Sequence, residues 1–162
     1  LVILKKKFLL NLISIKKDLK NKTQPELLDL CLHLAKFKKE NKELLTYLLY
    51  EVDDEASFIR SIKEEVDEQF LEINTSSYYF IKKSMRKILR NIKKHIRYSK
   101  NKETEVELLI YYCSKLNSFS PSITRNTALV NLYQRQIVSI RKMISSLHED
   151  LQYDFGLQLE EL

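Results

Sequence analysis

Glycine occurs once in this sequence, at Gly156, proline only at Pro25 and Pro121, and tryptophan not at all. Ordinary chains carry about 7% glycine and about 5% proline. Tight β-hairpins and phosphate-cradling loops usually need glycine where φ is positive. The shortage therefore argues against sheets joined by short turns, and it leaves helices and their caps. No Walker loop, Gly-x-Gly-x-x-Gly, Gly-x-Ser-x-Gly or paired Cys-x-x-Cys motif is present. The two cysteines, Cys31 and Cys113, lie in apolar helical stretches. One bridge between them is conceivable, but reduced core thiols in a cytoplasmic chain are the expectation.

Histidine is scarce too, and none of His33, His95 and His148 has Asp or Glu three residues upstream, so the Glu-x-x-His pattern of helical di-iron proteins is missing. Asp29 and His33 stand one turn apart, and "SSLHEDLQYD" groups His148, Glu149, Asp150 and Asp154. These read as satisfied histidines and a frayed acidic helix end, not as a metal site. Long apolar runs are also lacking. In "LVILKKKFLLNLISIKK" the longest uncharged run is Phe8 to Ile15, followed by Lys16 in place of a cleavage site. Nothing approaches the roughly 18 apolar residues of a membrane span. These absences argue against an enzyme, a cofactor, a metal and a small-molecule substrate, and they favour a cytoplasmic location.

What is present is helix-forming. The 162 residues are 31% charged and well mixed with leucine and isoleucine. A chain of this length suits a single all-helical domain over residues 1–162, with a core that needs no staple. The periodicity predicts about seven helices. The first runs from about Leu4 to Leu19. Thr23 and Glu26 form a capping box for the second, with Pro25 in its first turn. "NKELLTYLLYEV" is the third, and Asp53 or Asp54 caps the fourth, which runs to Ile73. Asn74 or Thr75 caps a fifth that reaches Tyr98, and Asn101 opens the sixth. After the loop "NSFSPSITRN", where Ser120 or Asn126 can cap and Arg125 can meet an anion, the seventh runs from Thr127 through Leu147 and Leu151. Short polar turns make such helices antiparallel neighbours.

"PELLDLCL", "KELLTYLL" and "VELLIYYC" share a Glu-Leu-Leu core, and "NTSSYYFIKK" and "NTALVNLYQR" both begin with Asn-Thr, though at no constant period. In this texture the chain resembles short α-α superhelical proteins of the HEAT and armadillo type. Around "SMRKILRNIKKHIRYSK" and "ELLIYYC" it resembles uncharacterised all-helical bacterial proteins. The resemblance implies stacked antiparallel hairpins with a binding surface, and it transfers no site residue. An irregular helical bundle is the alternative.

The most unusual segment is "KKSMRKILRNIKKHIRYSK", Lys82 to Lys100, with nine Lys or Arg and no carboxylate. At 100° per residue, Ile81, Met85, Ile88, Leu89, Ile92 and Ile96 share one side. Lys82, Lys83, Arg86, Lys87, Arg90, Lys93, Lys94 and Arg97 share the other. Like charges four apart destabilise a helix by a few tenths of a kcal/mol per pair, so something should offset them. One source is the segment Glu51 to Glu72, whose nine carboxylates face only Arg60 and Lys63. Pairing across a helix hairpin would then be mere charge matching on wet faces. The other reading is a face that binds phosphates or an acidic partner, with Tyr78, Tyr79 and Tyr98 near enough to stack on bases. Lys5, Lys6, Lys7, Lys16 and Lys17 make a second basic face, on a first helix better suited to core packing than to lying on a membrane.

Two functions from different classes follow. The first is a non-catalytic helical interaction or scaffold module that binds another protein or itself. The second is a nucleic-acid-associated protein that grips phosphates through the eight cations from Lys82 to Arg97. A groove lined by positive side chains would favour the second.

Overall fold

The structure, a computed structural model, describes residues 11–162. Every regular element among them is helical, with no strand. Eight α-helices are present among the described residues: α1 Leu12–Lys20, α2 Gln24–Phe37, α3 Lys39–Thr46, α4 Glu55–Leu71, α5 Tyr78–Ser99, α6 Lys102–Asn117, α7 Thr127–Ile144 and α8 Glu149–Glu160. A π-helical turn, Tyr47–Glu51, and a 3-10 turn, Ile123–Arg125, complete the set. None of these helices is long and apolar enough to cross a membrane. The chain divides into two compact units, one ending at Thr46 and one spanning Tyr47–Leu162.

In the first unit the expected capping box is in place. Thr23 Oγ1 accepts from the Glu26 backbone N–H, and the Glu26 carboxylate accepts from the Thr23 N–H at 2.8 Å. That backbone donor, then Lys22 at 3.0 Å and the Thr23 hydroxyl, hold the Glu26 carboxyl at about 2. Asn11 caps α1. The part of the predicted first helix before residue 11, with Lys5, Lys6 and Lys7, lies outside the described residues. No described residue of this unit is buried. Cys31, expected in a core, is exposed on α2; both thiols are free.

The second unit holds the core, and its chain directions can be read from side-chain contacts. Glu55, at the start of α4, accepts from Ser99 at the end of α5, so those two helices are antiparallel. Thr104, at the start of α6, also donates to Glu55, at 2.5 Å, and Lys115 near its end meets Asp67 near the end of α4. Helices α4 and α6 therefore run parallel. Lys102 reaches Ser146 beyond the end of α7, and Tyr133 and Asn117 both donate to the Leu162 carbonyl oxygen. Helix α7 is thus antiparallel to α6, and α8 is parallel to it.

Helix α6 touches α4, α5, α7 and α8. Its sequence explains why: Val106, Leu108, Leu109, Ile110, Tyr112, Cys113 and Leu116 leave almost no polar side, and all are buried. A helix apolar nearly all round has to be surrounded. Burial pushes the Cys113 thiol up to about 12, which makes it unreactive. Asp54, Asn101 and Asn126 cap α4, α6 and α7 as expected.

Three boundaries differ from expectation. The predicted third helix begins at Lys39, inside the "KKEN" stretch before it, and stops as an α-helix at Thr46, with Tyr47–Glu51 a π-helical turn. Helix α5 starts at Tyr78 after Ser77, which makes no side-chain cap bond. Asn74 instead closes a tight turn by accepting from the Ser76 N–H at 2.9 Å, so its oxygen is already committed. The predicted seventh helix stops at Ile144, and Leu147 and Leu151 belong to a turn and to α8. The Ser145 and Ser146 hydroxyls donate to the Lys142 and Met143 carbonyl oxygens, both at 2.8 Å, and so satisfy the end of α7. His148 then caps α8, with Glu149 and Asp150 in the first turn where the helix dipole favours carboxylates. The supposed frayed acidic end is a helix start.

Candidate functional site

Helix α5 segregates as the sequence predicts. Ile81, Met85, Ile88, Leu89, Ile92 and Ile96 are all buried, each 7% exposed or less. On the other side Lys83, Arg86, Lys87, Arg90, Lys93 and Arg97 are exposed, and Lys82 and Lys94 are half-buried.

The acidic helix α4 does not neutralise this face, because of where its own carboxylates point. The buried stripe of α4 is Phe58, Ile62, Val66 and Phe70. Lys63 and Asp67 lie one step past Ile62 and Val66 and share one flank, which meets α6. Lys63 pairs with Glu107 at 2.6 Å and Asp67 with Lys115 at 2.6 Å. The Tyr111 ring sits between the two ammonium groups, at 5.2 and 5.4 Å, and its hydroxyl donates to Asp67. Glu65 and Gln69 share the opposite flank, which meets α5. There Glu65 accepts from Gln69 and from Asn91, at 2.9 and 2.8 Å. Its other oxygen stands 3.4 Å from His95 Nε2, without hydrogen-bond geometry.

So α4 reaches α5 through the Ser99 hydroxyl, an amide and an imidazole, and the expectation of acidic-to-basic matching across this hairpin is not met. Among the described residues no ion pair or hydrogen bond engages Lys82, Lys83, Arg86, Lys87, Arg90, Lys93 or Arg97. Lys94 is engaged and stands apart from that set.

Five of these cations, Lys82, Lys83, Arg86, Arg90 and Lys93, together with Tyr79 and Leu89, surround about 660 Å³ of open space along α5. All seven residues belong to that one helix, so the groove is a shallow trough among side chains and not a cleft between elements. Lys87, Lys94 and Arg97 lie on the same helix outside its lining. The tyrosines named from the sequence separate here. Tyr78 is tethered, its hydroxyl donating to the Ser122 carbonyl oxygen at 2.8 Å, and Tyr98 is buried with its ring edge-on to His95. Tyr79 alone of the three is open to solvent, 63% exposed. Arg125 is exposed on the 3-10 turn and is no part of the groove.

A second groove, of about 590 Å³, has lining residues from α6, α8 and the turn after α8 that include Glu103, Glu107, Asp154 and Glu161. Its one cation, Lys63, is already paired with Glu107. It has nothing to offer an anion. No group of three or more His, Cys, Asp or Glu able to hold a metal ion occurs among the described residues. Sequence periodicity had marked the basic face, but not the choice of Tyr79, which depends on what covers its neighbours. No protein-family model, curated protein or solved structure matches the chain.

Proposed function

We propose that this is a non-catalytic, nucleic-acid-associated protein that holds phosphates on the basic face of α5. The observation that carries this reading is the groove lined by five cations, none of which has a partner among the described residues. A helix pays for like charges along one side, and phosphates would offset that repulsion. The groove has no asparagine, glutamine or acidic side chain, and contacts to phosphate alone carry little sequence information. Binding is therefore weakly sequence-dependent and steeply salt-dependent.

A fluorescent DNA or RNA oligonucleotide titrated at low and at physiological salt tests it. Binding should weaken sharply as salt rises. The double charge reversal Arg86→Glu with Arg90→Glu should abolish it without lowering the melting temperature, since both side chains are exposed and unpaired among the described residues and each new carboxylate meets lysines one turn away. No binding even at low salt would remove this function.

A second reading, contact with another protein or with a second copy, is favoured by α2. Leu28, Leu30, Leu32, Leu34 and Phe37 are all exposed on it, Phe37 at 71%. Exposed apolar surface of this kind marks interaction sites. Light scattering over a range of concentrations should show association that Leu28→Lys with Leu34→Lys reverses. A solitary monomer at every concentration, with no partner captured, counts against it.

The stacked-hairpin architecture of the HEAT and armadillo kind is part of the same proposal. It is supported by α4, α6 and α8 running parallel while α5 and α7 run the other way.

A further inference from the structure

Four of the five cations of the groove lie in a row with its one tyrosine, and Lys82 stands about 60° to one side of it. With Tyr79 as origin and 100° per residue, Arg86 and Arg90 fall within about 20° of it and Lys83 and Lys93 within about 40°. At 1.5 Å per residue the row from Tyr79 to Lys93 is about 21 Å long. The Tyr79 ring is braced by Phe80, edge to face, with centroids 5.3 Å apart and planes at 79°. The row therefore begins with a supported aromatic plate and continues as a track of positive charge.

A double helix has little use for this arrangement. Its bases are stacked and paired, so along its length it presents phosphates and groove edges but no free base face for a tyrosine ring. An unpaired strand presents both, and a positive track combined with an aromatic plate suits a backbone with unstacked bases. An acidic protein surface fits less well. Three of the five cations are lysines, and lysine is depleted at protein–protein contacts, whereas it is a regular phosphate partner.

We infer that the ligand of the α5 groove is single-stranded nucleic acid, its phosphates held by Lys82, Lys83, Arg86, Arg90 and Lys93 and a base stacked on Tyr79. The inference rests on the phosphate-binding reading above and specifies its ligand.

The test is fluorescence anisotropy on the full chain with three probes of equal length: a labelled oligothymidylate, its duplex with oligoadenylate, and an abasic strand. The single strand should bind about tenfold or more tightly than the duplex, with a log–log salt slope near −0.7 per phosphate engaged. Tyr79→Ala should weaken it by roughly tenfold, in keeping with one stacked base, and Tyr79→Phe should restore most of the loss. The abasic strand should be indifferent to Tyr79→Ala. Equal affinity for strand and duplex with a silent Tyr79→Ala would overturn the single-strand assignment and leave phosphate binding standing. Competition by polyglutamate as strong as by the oligonucleotide would also overturn it, in favour of an acidic polypeptide. No binding of any probe at low salt would end both readings.

Discussion

At Lys100 the backbone takes φ 56° and ψ 16°, the left-handed conformation that ends α5, and the Lys100 N–H donates to the Ile96 carbonyl oxygen at 2.9 Å. Helix ends of this form ordinarily use glycine, because a Cβ there costs about 1–2 kcal/mol. The chain's one glycine sits elsewhere, inside α8, where an added Cβ would meet nothing within 4 Å. Backbone freedom is thus missing where the turn could use it and present where a helix loses by it. Gly156→Ala should raise stability by about 0.5–1 kcal/mol, and Lys100→Gly by about 1 kcal/mol, less the entropy of the freer unfolded chain. Urea unfolding of each variant checks both, and a loss of stability in either would contradict the local geometry.

Between elements, the seam of α4 and α6 is an alternation of charge: Glu107, Lys63, the Tyr111 ring, Asp67, Lys115. Burial pushes the Asp67 carboxyl up, but hydrogen bonds from Lys115 and Tyr111 together outweigh it and hold the group below its ordinary 3.8. A depressed carboxyl contributes stability that is fully present above the ordinary value and is lost as pH falls through the folded one. The seam should therefore loosen only below about pH 4. Lys115→Met removes the partner, so the stability gap between variant and parent should be open near pH 6 and should narrow toward pH 2, as followed by urea midpoints. A gap constant across that range would mean that Asp67 does not couple to Lys115. Helix α5 is anchored by its other face, where six apolar side chains are buried, and that anchoring outweighs the repulsion among its cations. Ile92→Ala should cost about 2–5 kcal/mol, far more than any change among the exposed cations.

Over the whole molecule, burial is unevenly distributed. No described residue before Tyr47 is buried, whereas Val66, Ile81, Met85, Tyr112, Leu116 and Leu129 are completely enclosed. Segments with few buried contacts open first. Limited trypsin digestion should cut at Lys16, Lys17, Lys20, Lys36 or Lys42 while a fragment starting near Tyr47 persists. The exposed cations of α5 are also trypsin sites, yet they should resist until global unfolding, since cleavage needs the helix to open. Early cleavage at Arg86 or Arg90 would show that α5 is not anchored as its buried face implies. Thiol reagents divide the molecule in the same way, with Cys31 reacting at once and Cys113 only on unfolding.

The amino-acid sequence by itself determined the all-helical class, most of the caps and the two-sidedness of α5, because capping and amphipathic periodicity are relations between residues a few positions apart; it did not separate α8 from α7. Thr23 with Glu26, Asn101, Asn126 and the isoleucine stripe are all legible at that range. It could not determine whether the α5 cations are neutralised. That depends on which flank of α4 carries Lys63 and Asp67 and which carries Glu65, and on which neighbour each flank meets. Nor could it separate Tyr79 from Tyr78 and Tyr98, three similar rings near one basic run. Only tertiary structure tied one to Ser122, buried another and left the third in line with the cations, since accessibility depends on residues distant in the chain.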